Sequence, residues 1–195
     1  MARPREFDEG VVLRATRDQF WATGYAGTSM DAIATATGLG KGSLYAAFGD
    51  KRKLYLRVFD DYCTAIVDAV GNQLNGDDEG AFDRLCKHFR TIAAHTAADT
   101  GRRGCFLAKG TSELSELDAD IAAGSLRTFD LLLETLAADI RGAQRHGDID
   151  PEADANELAS LALAVLRGIE ALGKAGKGES TIQAITETFI ALLPR

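Results

Sequence analysis

Residues 24–51 read GYAGTSMDAIATATGLGKGSLYAAFGDK. Gly24 ends a helix expected from about Glu6 to Thr23, in which Val12, Leu13, Thr16 and Phe20 recur at helical spacing. Thr28 is a candidate N-cap, and Asp31 stands three residues on, where the helix dipole favours an acid. The pattern predicts a short helix from about Met30 to Thr37, with Ile33 and Ala34 facing inward. It predicts another from about Lys41 to Phe48, with Leu44 and Phe48 one turn apart. Gly38-Leu39-Gly40 separates them, and Gly38 supplies a backbone conformation that most residues resist. Two short helices on a tight glycine turn, braced by a longer first helix, make a helix-turn-helix. The free face of the third helix then carries Lys41, Gly42, Ser43, Tyr45, Ala46 and Ala47. A helix of that kind fits the major groove, whose base edges carry the sequence code.

The remaining pattern is also helical. After Asp50 caps a fourth helix (Lys51 to about Leu74), five more are expected. They run from about Glu79 to Ala98, Cys105 to Leu114, Asp118 to His146, Pro151 to Leu172 and Ser180 to Leu193. No strand pattern or internal repeat interrupts them, so the fold class is all-α with about nine helices. The organisation expected is a DNA-binding head over residues 1–50 and a helical ligand-sensing and dimerisation body over 51–195. With 195 residues, 46% hydrophobic and 26% charged, the chain has enough apolar content for a packed core. Charge is segregated. Residues 1–57 hold nine Lys/Arg against six Asp/Glu, a balance of +3. Residues 58–195 hold thirteen against twenty-three, a balance of -10. The head is therefore the part suited to a polyanion.

Several classes are disfavoured. No apolar run is long enough to span a membrane, and MARPREFDEG carries no apolar signal core, which points to a cytoplasmic protein. Three cysteines (Cys63, Cys86, Cys105) without CxxC spacing do not form a disulfide framework or a structural zinc site. His88, His95 and His146 are scattered, so no metal or other cofactor is expected.

The residues of 12–54 resemble the N-terminal domain of the TetR family of bacterial transcriptional repressors. The match runs through Phe20, Gly24-Tyr25, Thr28-Ser29-Met30, Ile33-Ala34, Ala36, Gly38-Leu39, Lys41-Gly42, Leu44-Tyr45, Phe48 and Lys51. The stretch Gly42 to Lys51, GSLYAAFGDK, is its most specific part. The resemblance implies that Thr28, Tyr45 and Lys51 meet phosphates. It also implies that Lys41, Gly42 and Ser43 approach base edges, with Ala46 offering a methyl to thymine. Arg3 and Arg5 would form an arm with further phosphate contacts. Departures from the family pattern are Gly40 for serine, Thr16 and Gln19 at usually apolar positions, Ala46 and Ala47 for larger groups, and Arg52 and Lys53 for acids. The last pair would strengthen non-specific attraction to DNA.

One helix-turn-helix covers too little DNA for tight specific binding, and a dimer on a palindrome solves this. Leu158, Ala162, Val165, Ile169 and Leu172 step by four and three along the eighth helix, a coiled-coil-like seam. Leu161 and Leu166 widen it, and Gly168 permits close approach. Ile182, Ile185, Phe189 and Leu192 repeat the theme in the ninth helix. Apolar residues on more than one face suit both the chain's own core and a homodimer. The family pairs through its last two helices as a four-helix bundle, in agreement.

The resemblance also implies a ligand pocket in the body, with Tyr62, Ile66, Phe89, Phe106, Phe129 and Leu133 as candidate lining residues; plain core packing is the competing account of each. Cys105 follows Arg102-Arg103 at a predicted helix start, where both cations and dipole favour a thiolate, with Lys174 and Lys177 expected nearby. Inert packing as a small hydrophobe is the competing account. The function expected is a repressor that binds a palindromic operator as a homodimer. Its partners would be double-stranded DNA, a second copy of itself and an unidentified small-molecule, electrophile or oxidant effector. The alternative class is a cysteine-based redox-responsive protein or enzyme without DNA binding. Against an enzyme, no nucleophile–base pair, nucleotide loop or metal motif stands at recognisable spacing.

Overall fold

The computed structural model describes residues 7–195. Among them the chain forms nine helices and no strand. They are α1 (Glu9–Gly27), α2 (Met30–Thr37), α3 (Lys41–Phe48), α4 (Lys51–Gln73), α5 (Ala81–Ala98), α6 (Phe106–Leu114), α7 (Ala119–His146), α8 (Ala155–Lys174) and α9 (Glu179–Ala191). The expected all-α class holds. Arg3, Arg5 and the expected start of the first helix at Glu6 lie outside the described residues.

Local chemistry explains the boundaries. Asp8 caps α1, its carboxylate accepting from the Val11 N–H at 3.1 Å. Gly24 interrupts α1 at φ 75°, ψ 171°, outside the helical region, where the sequence placed the helix end; one more turn follows to Gly27. Ser29, rather than Thr28, caps α2, and its hydroxyl accepts from the Ala32 N–H at 3.1 Å. Thr28 is one residue too early for that bond. Gly38 takes the left-handed conformation at the end of α2, φ 69° and ψ 10°, and so turns the chain into α3. Asp50 caps α4 by accepting from the Lys53 N–H at 2.9 Å. Asp154, not Pro151, sets the start of α8, accepting from the N–H groups of Asn156 and Glu157.

The chain divides into two compact units, and they do not separate after residue 50. One takes in the chain up to Cys63 together with Phe106–Ser125; the other takes in Thr64–Cys105 and Leu126–Arg195. The first half of α4 and all of α6 therefore share a unit with the helix-turn-helix. Its core is aromatic. Phe20, Ile33, Leu44, Leu54 and Phe106 are fully buried. The Tyr55 ring stands 4.9 Å from Phe20 and 5.8 Å from Phe106, both within the range of favourable ring contacts. In the second unit α5, α8 and α9 pack on one another. Ala93, Ile169 and Ile182 form its centre with Val165, Leu172 and Ile185 against them, and Phe89 stacks on Phe189 at 4.5 Å.

Candidate nucleic-acid interface and effector region

Leu44 holds α3 to the head from its buried side, leaving the opposite face open. Lys41, Gly42, Ser43, Tyr45 and Ala46 are exposed there together, and a side chain at Gly42 would meet nothing within 4 Å. Tyr45 is half exposed, a large ring carrying a hydroxyl on the recognition face. Phe48, expected between the helices, is only half-buried, its ring 6.1 Å from Phe7. Lys41 is joined to Asp31 of α2 by a short ion pair. That hydrogen bond raises the ammonium above the ordinary lysine range, so Lys41 is a full cation on this face.

Two residues expected at phosphates are placed differently. Thr28 is buried, its hydroxyl donating to the Gly24 carbonyl at 2.6 Å with the Thr23 hydroxyl 2.7 Å away. Its side chain ties the α1–α2 joint together instead of facing outward. The Lys51 ammonium donates to the carbonyls of Tyr25 and Thr28, each at 2.9 Å, and lies 4.3 Å from the Tyr25 ring centroid. It clamps the same joint. Arg52, expected to add free positive charge, is instead neutralised by Asp118 at 2.6 Å and 2.9 Å and by Asp120 at 2.6 Å. Those bonds hold the Asp118 carboxyl below its ordinary range. Glu113 of α6 accepts from the Tyr25 N–H at 2.9 Å. None of these carboxylates was legible as a partner, because 66 to 88 residues separate donor from acceptor.

In the second unit Cys105 is buried with Sγ 2.9 Å from a guanidinium nitrogen of Arg167, which also pairs with Glu170 at 2.8 Å. The cation at the sulfur therefore comes from α8 rather than from the adjacent arginines. Arg103 pairs with Asp99, and Lys174 reaches the Arg103 carbonyl at 3.4 Å. Burial drives the Glu170 carboxyl above its usual range, against the pull of Arg167. The expected lining residues do not form one group. Tyr62 and Phe106 meet at 5.5 Å in the first unit, and Trp21 joins them. Ile66, Phe89, Phe129 and Leu133 belong to the second unit. Phe89 and Phe106 are fully buried in well-packed core, while Tyr62, Ile66, Phe129 and Leu133 are half-buried.

The expected seam on α8 and α9 splits in two. Ala162, Ile169 and Ile182 are fully buried and Phe189 nearly so; they form the chain's own core rather than an open face. Leu158, Val165, Leu172 and Ile185 remain partly exposed, and Leu161 and Leu192 stand out at 52% and 76% exposure. A groove of about 440 Å³ runs between them, lined almost wholly by apolar side chains. Gly168 faces open space.

Residues 12–58 match the family described as bacterial regulatory proteins, tetR family, and residues 81–189 match the tetracyclin repressor-like C-terminal domain. The chain belongs to the TetR family. A relative of this TetR-family chain in Escherichia coli K12, the HTH-type transcriptional repressor ComR, is 29% identical over 194 residues, covering 98% of this chain and 91% of ComR. Among solved structures, a cysteine mutant of the TetR family transcriptional regulator CifR, complexed with 26bp double-strand operator DNA, superposes with a TM-score of 0.84. It is 26% identical, with 99% of this chain and 100% of that one covered. A regulatory protein TetR from Rhodobacter sphaeroides shares the fold at a TM-score of 0.83 and 23% identity, covering 94% and 97%. The TetR-family chain is thus a DNA-binding transcriptional regulator with a helix-turn-helix reader. No helix among its described residues is long and apolar enough to cross a membrane.

Proposed function

We propose that the protein is a cytoplasmic repressor that binds a palindromic operator as a homodimer and leaves it when an effector binds. The observation that carries this reading is the open face of α3, where Lys41, Gly42, Ser43, Tyr45 and Ala46 are exposed together behind a fully buried Leu44. The repressor ComR and the operator-bound CifR support it. In this reading residues 1–50 carry DNA recognition, and 51–195 carry dimerisation and sensing. Lys41, Gly42, Ser43 and Ala46 meet base edges, and Tyr45 meets a phosphate. Thr28 and Lys51 act on DNA by holding the joint below α2. The second copy covers the apolar α8–α9 groove around Leu158, Leu161, Val165, Ile185 and Leu192. Release requires an effector that prefers the conformation in which the two heads do not fit adjacent grooves. An electrophile or oxidant acting at Cys105 is favoured by the Arg167 guanidinium at its sulfur, which stabilises a thiolate.

In vitro selection from a random duplex library tests the reading. Enrichment of an inverted repeat, with affinity that falls as salt rises and is lost in Tyr45→Ala while helicity persists, is the expected result. Failure to enrich any sequence, or enrichment of a site without symmetry, overturns it.

A further inference from the structure

Arg167 of α8 is a largely buried cation with two acceptors at one nitrogen. Its Nη1 lies 2.9 Å from Sγ of Cys105 and 2.8 Å from Oε2 of Glu170, one turn along the same helix. The two contacts differ in kind. The N–H is aimed at the sulfur, which accepts a hydrogen bond. Glu170 Oε2 is close enough to feel the charge, yet it is buried and accepts no hydrogen bond among the described residues. A carboxylate oxygen placed like that is costly, and a proton on the carboxyl removes the cost. Burial pulls the same way and holds the Glu170 carboxyl above its usual range against Arg167. A thiolate at Cys105 and a carboxylate at Glu170 therefore draw on the same cation, and in a buried place one cation does not satisfy both. Other titratable groups of this region are neutral or engaged elsewhere. His88 of α5 feels the Arg167 charge and stays neutral down to about pH 4. Lys174 reaches the Arg103 carbonyl, Arg103 pairs with Asp99, and the Arg102 guanidinium lies over Gly176.

We propose that Cys105 and Glu170 hold one proton between them and compete for Arg167, so that Glu170 sets how readily the sulfur ionises and the state of the sulfur sets the charge on α8. The unmodified site exchanges between thiolate with carboxylic acid and thiol with carboxylate. An alkylating electrophile takes the sulfur electron pair into a new S–C bond, expels its own leaving group and ends the exchange. The Arg167 cation is then left to Glu170, which ionises, and its proton passes to solvent. One negative charge has moved from the residue before α6 to α8. The proposal deepens the reading of Cys105 as the sensing group and rests on it for its use in the cell. Its test needs neither DNA nor effector, so the shared proton can fail while the repressor reading stands, and the reverse.

The test follows the ultraviolet absorbance of the thiolate in the full-length protein across a pH titration. The curve of Cys105→Ala is subtracted, so that Cys63, Cys86 and the tyrosines cancel. Glu170→Gln removes the competing charge and is expected to lower the Cys105 midpoint by about one pH unit, roughly tenfold more thiolate at a fixed pH below it. Glu170→Met, which removes the carboxyl without adding an amide, should do the same. Arg167→Met should raise the midpoint by about one unit or more. On that background Glu170→Gln should have no effect, because the carboxyl without its cation stays protonated. A side chain acting only through packing would not show that dependence on Arg167. Retained helicity reports folding of each variant, and where Arg167→Met does not fold the two Glu170 variants alone decide. A midpoint unmoved or raised in both Glu170 variants overturns the proposal. So does an undiminished fall on the Arg167→Met background.

Discussion

The Lys51 ammonium and Tyr25 are joined twice: Nζ donates to the Tyr25 carbonyl at 2.9 Å and sits 4.3 Å from the centre of its ring. A third contact to the Thr28 carbonyl completes a clamp from the start of α4 onto the joint that carries α2 and α3. Each hydrogen bond from a charged donor contributes about 1.5–3 kcal/mol, less where water competes, and a cation on a ring about 0.5–1 kcal/mol. Lys51→Met keeps the aliphatic stem and removes the donors. It should destabilise the first unit by about 2–3 kcal/mol in urea unfolding followed by Trp21 emission. A loss under about 0.5 kcal/mol would mean the clamp is open in solution.

Thr16 is fully buried, and its hydroxyl has no hydrogen-bond partner among the described residues. An isosteric valine removes the unpaired polar atom without changing volume. Thr16→Val is expected to stabilise the protein by about 1 kcal/mol, read as a raised denaturation midpoint at unchanged slope. A destabilised variant would show that the hydroxyl has a water or other partner.

Asp31 holds Lys41 on the recognition face. Both side chains are at least half exposed, so the pair is weak and its main effect is on where the charge points. Asp31→Asn frees the cation and removes a like charge facing DNA phosphates. Affinity for non-specific duplex at low salt should rise about two- to fivefold, measured by fluorescence anisotropy. An unchanged or lower affinity would mean that Asp31 aids the contact by aiming Lys41.

His88 is buried, with Nδ1 2.7 Å from the Gln73 side-chain oxygen. Burial, and then the Arg167 cation, hold its pKa down at about 4. The unfolded chain therefore takes up this proton near pH 6.5 and the folded chain only near 4. Its contribution to stability is full above pH 6.5 and is lost progressively as pH falls from there to about 4, a change of about 3 kcal/mol. His88→Asn retains an N–H near the Nδ1 position and cannot titrate. Unfolding free energy measured across that window should fall less steeply in the variant than in the wild type; parallel curves would exclude His88 as the cause.

Leu161 of α8 and Leu192, the residue that ends α9, stand out as exposed large apolar side chains at the end of the second unit. Both lie outside the chain's own core, so Leu161→Lys with Leu192→Lys should leave the fold intact. Sedimentation of the double variant should give a monomer where the wild type gives a dimer. A wild-type monomer, or a variant dimer of undiminished affinity, would remove the proposed pairing face.

The amino-acid order alone determined most of what depends on neighbours within a few turns, although it put the α2 cap at Thr28 and the α8 start at Pro151, where Ser29 and Asp154 do that work. Apolar spacing marked α2 and α3, because a helix reads positions three and four apart. Gly38 announced its turn because side chains resist a positive φ there. The exposed face of α3 followed from the same periodicity once Leu44 was inside. Tertiary structure alone decided what charged and polar side chains do, since a long side chain can choose among partners that lie far apart in sequence. Lys51 found backbone carbonyls, Arg52 found Asp118 and Asp120, and Cys105 found Arg167. It also decided which apolar positions of α8 and α9 became core. Periodicity marks a stripe as buried, but only three-dimensional packing shows that Ile169 and Ile182 are covered by this chain while Leu161 and Leu192 are left open.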